Sequence, residues 1–222
     1  MADARRQEPA ITFVTTAMKY LSIALGIFLF CLSACSNVEL VEKRNKDGIV
    51  VERYNRNKQD SLMNGIYEAF DDKGGLVEKA SYKNGKLDGL RSLYYPNGKL
   101  QYEESHQNGE FVGTYRAYYP EGALELEGEY IANKMSGIWT AFYPNGTKKE
   151  TVTFVDNQEN GPFKEWYSNG VVKAEGAYAN GDKEQGELVL YDLKGEVNKR
   201  MYCEAGICKT IWVAEKATEN EG

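Results

Sequence analysis

The sequence predicts an all-β protein, an elongated antiparallel β-meander of tandem hairpins of about 24 residues each. Three observations predict this fold: 22 glycines and 16 tyrosines with only 5 prolines in 222 residues, glycines that recur in two columns, and a third column of aromatic residues. Abundant tyrosine and glycine favour short strands separated by turns. No convincing amphipathic helix follows the amino-terminal segment.

The composition excludes several classes of function. A net charge of −6 does not favour a nucleic-acid groove, which needs clustered Lys and Arg to neutralise phosphates. A single histidine leaves little room for His-based catalysis or a multi-histidine metal site. We therefore expect no nucleic-acid partner, no metal and no cofactor. The 42% hydrophobic and 12% aromatic residues argue against a disordered chain.

The first segment has the pattern of an export signal. The apolar run from Tyr20 to Leu32 is shorter than the ~20 residues that span a bilayer, and it follows the compact basic start Met18-Lys19. The next residues, Leu32-Ser33-Ala34-Cys35, resemble the lipobox of bacterial lipoproteins. We predict that residues 1–34 are a signal peptide, with translation starting at Met18, and that Cys35 is the acylated N-terminus that binds the membrane through its lipid.

An ordinary signal peptide or a short membrane anchor, with Cys35 as a passenger, is the alternative. Under the lipoprotein interpretation the protein is anchored in a bacterial cell envelope. Ser36 follows the lipidated cysteine where an Asp would mark retention in the inner membrane, which favours the outer membrane where one exists.

Two cysteines remain near the end of the chain. Cys203 and Cys208 are separated by a short segment that includes a glycine, a spacing that suits a disulfide across a turn in an oxidising compartment. Metal binding by two thiolates alone is the weaker alternative.

A repeat of about 24 residues organises the chain between these segments. The first glycine column keeps this spacing, with a final step that is one position longer, and contains Gly74, Gly98, Gly122, Gly146, Gly170 and Gly195. The second keeps the same rhythm through Gly65, Gly89, Gly113, Gly137, Gly161 and Gly186. The third column, which we call the packing column, contains Tyr82, Tyr130, Phe154, Tyr178 and Tyr202, with His106 in the remaining slot.

Each unit reads as a β-hairpin. A strand such as Thr114 to Tyr119 leads to Tyr-Pro-Asn-Gly or a variant of it, in which Pro presets φ and Asn-Gly supplies positive φ. The chain returns through a second strand and turns again at Asn-Gly, as at Asn84-Gly85. Six such hairpins predict about twelve strands. Residues 38–64 form a seventh, divergent unit with a turn at Asp47-Gly48.

The predicted segments are therefore residues 1–34 as signal peptide, 35–47 as lipidated N-terminus and start of the divergent unit, 48–213 as the hairpin array, and 214–222 as a flexible tail.

The repeated pattern resembles the bacterial variant of the MORN repeat (membrane occupation and recognition nexus). It consists of a glycine, two strand aromatics and Tyr-Pro-Asn-Gly, as from Gly137 to Gly146, followed by an Asn-Gly and a further glycine. The array is similar to proteins of the YwqK family, which are commonly described as antitoxin components. The repeats depart from the pattern in places. The turns Asp71-Asp72-Lys73-Gly74 and Asp192-Leu193-Lys194-Gly195 replace Tyr-Pro-Asn-Gly, Gly186 and Gly195 each come one residue late, and Arg91 replaces a strand aromatic.

Strand alternation divides the side chains between two faces. Tyr115, Trp139 and Phe163 lie on the first face, which is more continuously apolar and is predicted to be the packed side. Tyr119, Tyr143 and Tyr167 are assigned to the same face. The second face mixes polar residues with one aromatic residue per unit, in a column of Tyr94, Tyr118, Phe142 and Trp166.

This column is the candidate binding surface. Packing against cross-strand neighbours would by itself explain it and is the interpretation that we favour, at ~0.2–1 kcal/mol per pair. The alternative is a ladder of aromatic anchors for a protein or a glycan.

No catalytic residues are assigned, and we predict that the protein is not an enzyme. His106 stands where the repeat has a packing aromatic residue, and no fixed Ser or Cys accompanies it. The acidic residues alternate along strands, as on a solvated face, and no pair is distinguished as the two carboxylates of a glycosidase.

Three functions are compatible with these features. The first is a lipid-anchored, non-enzymatic β-repeat protein that binds a protein partner or serves as a scaffold. The second, implied by the resemblance, is an antitoxin or immunity protein that binds a toxin met outside the cytoplasm. An envelope hydrolase acting on glycans is the third.

Overall fold

The structure, a computed structural model, describes residues 37–215. The predicted signal peptide, Cys35 and all but the first two residues of the predicted tail lie outside the described residues. Residues 37–215 form fifteen strands. The first eight are β1 (Val38–Arg44), β2 (Val50–Asn57), β3 (Met63–Phe70), β4 (Leu76–Lys83), β5 (Lys86–Tyr94), β6 (Leu100–Gln107), β7 (Glu110–Tyr118) and β8 (Leu124–Ile131). The others are β9 (Lys134–Phe142), β10 (Lys148–Val155), β11 (Gln158–Trp166), β12 (Val172–Tyr178), β13 (Gly186–Tyr191), β14 (Val197–Glu204) and β15 (Ile207–Val213).

All fifteen strands form one sheet in which each pairs antiparallel with its neighbours in sequence. The predicted all-β meander is confirmed. The divergent unit contributes β1 and β2, and β15 is a further strand that follows the last hairpin. No helix in residues 37–215 is long and apolar enough to cross a membrane.

One set of turns links each odd-numbered strand from β1 to β13 to the next even-numbered strand. In the turn after β5, Tyr95 N–H donates to the Lys99 carbonyl at 2.8 Å, and Gly98 has a φ of +79°. At Asp71 the carboxylate Oδ1 accepts the N–H groups of Lys73 and Gly75, each at 2.8 Å. These bonds lower the pKa of Asp71. The aspartate side chain thus accepts the hydrogen bonds of two backbone N–H groups in the turn.

The second set of turns lies at the opposite ends of the strands. Asn84 and Gly85 both have positive φ, as do Ala132 and Asn133, so the predicted left-handed asparagines are confirmed. The side chain of Asn133 accepts the N–H of Phe111 at 2.8 Å. Backbone bonds from Gly85 to the Met63 carbonyl and from Gly109 to the Leu87 carbonyl show the same arrangement, in which a turn contacts the start of the strand that follows the preceding turn of this set.

The first face contains most of the buried side chains, whereas Ser92, Thr140 and Val189 are buried on the second face. Tyr115 pairs with Gly128, Trp139 with Val152, and Phe163 with Gly176. Trp139 and Phe163 are 4% and 5% exposed. Every aromatic ring contact within the described residues lies on this face, with ring centroids 4.4 to 6.4 Å apart. The prediction that this is the packed side is confirmed.

The prediction that Tyr202 takes the last position of the packing column is wrong. Cys203, not Tyr202, occupies that slot, because Cys203 pairs with Gly186 as Tyr178 pairs with Gly161. Tyr202 lies on the second face and is 54% exposed, whereas Cys203 is fully buried. The slip follows from Gly186, which stands one position further from Gly161 than the repeat spacing predicts.

Candidate functional site

The four residues of the predicted binding column end equivalent strands. Tyr94, Tyr118, Phe142 and Trp166 are the last residues of β5, β7, β9 and β11, and all are half-buried. Successive members are one hairpin apart, which corresponds to two strand spacings or about 9.5 Å. The structure therefore places them in one regular column that crosses the sheet near the same end of its strands.

The column is longer than the sequence interpretation recognised. Phe70 ends β3 and Tyr191 ends β13, in the same position of the hairpin. The signal for both was present, because Phe70 precedes Tyr94 by one repeat length and Tyr191 follows Trp166 by one repeat length and a single extra position. Departures from Tyr-Pro-Asn-Gly at the two flanking turns concealed them. We name these six residues the aromatic column.

Tyrosine hydroxyls fix the backbone beneath the aromatic column. The Tyr95 hydroxyl donates to the carbonyl of Tyr118 at 2.8 Å, and the same bond recurs from Tyr119 to Phe142, Tyr143 to Trp166 and Tyr167 to Tyr191 at 2.8 to 2.9 Å. Tyr119, Tyr143 and Tyr167 are not strand residues as predicted, although Tyr119 does border the first-face residues Ala117, Leu126 and Ala141. The strand ends one residue earlier, so each tyrosine lies in the turn and reaches the next hairpin.

Ion pairs run along the second face beside the column. Arg116 lies 3.5 Å from Glu103 and 3.7 Å from Glu127, and Lys164 lies 3.0 Å from Glu175. Hydrogen bonds from Tyr191 and then Lys164 lower the pKa of Glu175. These charges neutralise one another. The rings of the column are therefore the main accessible apolar groups in this part of the second face.

A groove of about 610 Å³ opens on the second face between β9 and β13. Ile138, Pro162, Ala177 and Val189 supply apolar lining, and the Lys164–Glu175 ion pair also borders it. Ile138 is 65% exposed. The pairing of β12 with β13 is limited to Ala174 with Leu190 and Glu175 with Val189, so the sheet is least regular where the groove lies.

His106 lies on the first face, away from the aromatic column. Its Nε2 is 3.0 Å from Glu104 Oε1, and both side chains are buried. Arg91 reaches the same carboxylate at 2.9 Å. Within residues 37–215, no group of three or more His, Cys, Asp or Glu side chains is arranged to bind a metal ion. The cluster occupies slots that contain packing residues in the neighbouring hairpins.

A disulfide joins Cys203 and Cys208 across the turn between β14 and β15. Because Cys203 takes an aromatic slot, the disulfide fills on the first face the space that a ring fills elsewhere. It is remote in sequence from the candidate column and joins the last two strands.

Comparison with known families identifies the repeat. Residues 63–84, 87–108, 111–132, 135–156 and 159–180 each match the MORN repeat variant. From the first to the last, these five copies span just over half of the chain and include β3 to β12. No curated protein matches the sequence.

Proposed function

Because the chain belongs to the MORN repeat variant family, we propose that it is a non-enzymatic interaction protein whose aromatic column and adjoining groove bind a protein partner. The repeats of this family are in general motifs of protein and membrane interaction, which is consistent with a binding or scaffold role. For this chain we propose in addition which surface binds, that the partner is a protein, and where in the cell the binding takes place.

The observation that carries the proposal is the regular, fixed presentation of the column. Its rings are half-buried, so each keeps an accessible part while its base is packed. The tyrosine bonds beneath them at 2.8 to 2.9 Å limit the movement of one hairpin against the next. Aromatic anchors on a rigid support lose little conformational entropy on binding and are typical of the residues that dominate interface energies.

The chemistry of the surface favours a partner with apolar anchors. The charged groups beside the column and groove are paired with one another, as Lys164 with Glu175 and Arg200 with Glu187 at 3.0 and 2.6 Å. A highly charged ligand would compete with these pairs, whereas an aliphatic or aromatic side chain would fill the groove without displacing them.

We further propose that Cys35 is lipidated and anchors the protein in a bacterial envelope, in the outer membrane where one exists. The lipobox-like residues support this assignment. An acidic chain is repelled by anionic lipids, so lipid chains must supply the attachment. Fatty-acid labelling that persists in Cys35→Ala would exclude it.

The binding surface is tested by photocrosslinking in intact cells. A photoreactive residue in place of Tyr118 is expected to capture a defined partner, and the double substitution Phe142→Ala and Trp166→Ala is expected to weaken that capture at least tenfold, because two anchors are removed. Ile131→Ala is the matched control. Ile131 is 59% exposed, but it ends β8 at the end of the strands opposite to the aromatic column.

Equal capture in the double variant and in the control would show that the column is not the binding surface. Identification of the partner as a secreted toxin would make the protein an immunity protein, the activity that the resemblance to antitoxin components implies. Release of sugar from a glycan panel by the purified protein would contradict the non-enzymatic proposal.

A further inference from the structure

The turn between β3 and β4 lacks the tyrosine that links each of the next four hairpins to its successor. The turns after β5, β7, β9 and β11 each donate a tyrosine hydroxyl to a carbonyl of the following hairpin. Asp71 takes that position after β3, and its Oδ1 accepts N–H groups of its own turn instead. The hairpins β3–β4 and β5–β6 are therefore joined without this bond.

A second contact of the later turns is also missing here. The side-chain amide of Asn97 donates to the Pro120 carbonyl at 2.9 Å, and Asn145 makes the equivalent bond two hairpins later. Lys73 stands at this position after β3, and within residues 37–215 its ammonium group bonds to no carbonyl of the following turn. Gly75, two positions further on, has no side chain that could fill the space.

A cavity of about 170 Å³ lies where these contacts are missing. Asp71, Gly75 and Val77 line it from one hairpin, and Tyr94 and Pro96 line it from the next. In each of the four later hairpins a tyrosine side chain spans the positions equivalent to 71 and 94. A cavity of roughly 150 Å³ is enough to hold benzene, so a phenol ring fits here.

The cavity presents hydrogen-bond acceptors to a ligand. Tyr94 and Pro96 carry the carbonyls that correspond to those bonded by tyrosine and asparagine side chains in later hairpins. The N–H groups of Gly75 and Lys73 lower the pKa of Asp71, so its carboxylate is ionised at pH 7. An uncharged ring that carries one hydrogen-bond donor complements this set, whereas an anion would be repelled.

We propose that this cavity binds a phenol group, supplied by a tyrosine side chain of the protein partner, whose hydroxyl donates to the Tyr94 carbonyl. The partner thus inserts the group that the chain's own tyrosines supply in the next four hairpins. The source of the phenol rests on the proposed function. Tyr94 belongs to the aromatic column and also lines the cavity, so a protein segment bound along the column has the cavity beside it.

The cavity is tested with two model compounds that differ by one hydroxyl group. N-acetyl-L-tyrosine amide and N-acetyl-L-phenylalanine amide are titrated against the full chain, purified in detergent, and binding is followed by saturation-transfer NMR. The tyrosine compound is expected to bind about fivefold more tightly, because only its hydroxyl can donate to the carbonyl. Equal affinity of the two compounds, or no binding of either, would overturn the proposal.

Filling the cavity from within should abolish this binding. The triple variant Asp71→Tyr, Asp72→Pro and Lys73→Asn has the Tyr-Pro-Asn-Gly turn of the later hairpins, so its own tyrosine takes the site. We expect it to bind the tyrosine compound at least tenfold more weakly than wild type. Val77→Phe, which fills the cavity without changing the turn, should have the same effect. Binding that persists at the wild-type level in both variants would contradict the assignment.

The same three changes at the turn after β13 are the matched control. There Asp192 Oδ1 accepts the N–H groups of Lys194 and Glu196 at 2.9 Å, as Asp71 does in its own turn, but no further hairpin follows within residues 37–215. The variant Asp192→Tyr, Leu193→Pro and Lys194→Asn should therefore bind like wild type. If it lost binding as the first triple variant does, the cavity would not be the site.

A third compound, 4-methylphenol, distinguishes a tyrosine side chain from a free phenolic molecule. Both 4-methylphenol and the tyrosine amide should bind, because a tyrosine of a partner must enter with its backbone attached. Binding of 4-methylphenol alone would contradict the assignment to a protein partner. No partner is present in these titrations, so their failure leaves the crosslinking test of the aromatic column intact. Failure of that crosslinking would remove the source of the phenol but not the affinity of the cavity for it.

Discussion

The first face is built in two different ways at β5–β6 and at β9–β11. Equivalent slots contain Arg91, Glu104 and His106 in the first region, and Trp139, Val152 and Phe154 in the second. In both regions the central side chains are buried: Glu104 and His106 are 4% and 6% exposed, Trp139 and Val152 4% and 7%. The same backbone thus accepts a polar cluster or an apolar core.

The polar region depends on mutual compensation. Arg91 lies between two carboxylates, 2.6 Å from Glu78 and 2.9 Å from Glu104. Burial would lower the pKa of Arg91, but the hydrogen bonds to Glu78 and Glu104 outweigh it and raise that pKa. A buried charge left without its partner is costly, so these side chains act as one unit.

The apolar region depends on shape instead. The Trp139 ring packs over Gly128, where an added Cβ would lie 2.1 Å from a ring atom. The ring also contacts Tyr115 and Tyr130, with centroids 5.7 and 5.2 Å apart. Tryptophan fits this slot because the neighbouring strand carries no side chain at that point. The two regions show that the repeat fixes the backbone and leaves each hairpin to match its immediate neighbours.

The largest effect is expected from Glu104→Gln. Loss of this carboxylate leaves Arg91 with one partner and His106 with a neutral one, which should lower the free energy of unfolding by about 3 kcal/mol. Glu127→Gln on the second face, where the ion pair with Arg116 is 3.7 Å long, should cost under ~1 kcal/mol. Urea unfolding measures both.

The comparison of the two regions predicts a rescue. Replacing the three central residues with those of the next hairpin (Arg91→Tyr, Glu104→Gly and His106→Tyr), in a Glu78→Gln background so that no carboxylate loses Arg91 as its partner, should return stability to within ~1 kcal/mol of wild type or above it, since apolar replacement of a buried ion cluster is often neutral or stabilising. If the triple variant were as unstable as Glu104→Gln, a polar cluster and an apolar core would not be interchangeable at this position of the repeat.

Gly128→Ala is expected to have the next largest effect. The methyl group cannot fit beneath the Trp139 ring, so the ring must move, and the free energy of unfolding should fall by about 2 kcal/mol. Gly176→Ala is the matched control, because its Cβ would lie 2.9 Å from the Phe163 ring and needs a smaller shift. Thermal unfolding followed by near-ultraviolet circular dichroism, to which Trp139 contributes together with the other aromatic residues, would show both changes. Equal effects would mean that the contact at Gly128 is not the determining one.

The fold could be predicted from the sequence because the most regularly repeated residues are those that form the turns. The glycine columns and asparagines with positive φ define every hairpin between Gly65 and Gly195, and their spacing indicates the strands. The packed face followed from simple alternation.

The cluster and the tyrosine bonds could not be predicted in the same way. Arg91 was visible as a departure from the aromatic slot, but Glu104 resembled the many other glutamates of solvated strand faces. Only the cross-strand pairing shows that Arg91 and Glu104 are opposite each other. Likewise, alternation continued one residue too far at Tyr119, where the strand ends and the hydroxyl contacts the next hairpin.

The smallest effect concerns two glutamates within the apolar region. Glu150 and Glu165 are opposite each other on β10 and β11. Burial, and then the charge of Glu165, raises the pKa of Glu150, so its ionised form destabilises the fold at pH 7. Glu150→Gln should therefore raise the free energy of unfolding at pH 7 by less than ~1 kcal/mol. The gain should disappear as the pH falls through the raised pKa towards the ordinary value of 4.5.

Glu175→Gln should show the opposite sign. The pKa of Glu175 is lowered by its bonds to Tyr191 and Lys164, so its carboxylate stabilises the fold above pH 4.5, and this contribution is lost as the pH falls through the lowered pKa. The variant should be less stable than wild type at pH 7 and equal to it in acid. Denaturant unfolding at a series of pH values separates the two cases, and equal pH profiles would show that the two carboxylates do not differ.

The strictly sequential pairing of the strands has a mechanical consequence. Interstrand hydrogen bonds run in the direction that leads from β1 to β15, so tension applied at the two ends loads them one strand pair at a time. Hairpins would open in succession, each releasing one repeat length, which is roughly 80 Å of extended chain. The bonds from Tyr95, Tyr119, Tyr143 and Tyr167 add to the strand ladders that resist these steps, because each ties one hairpin to the next. Under load the sheet would act as an extensible tether.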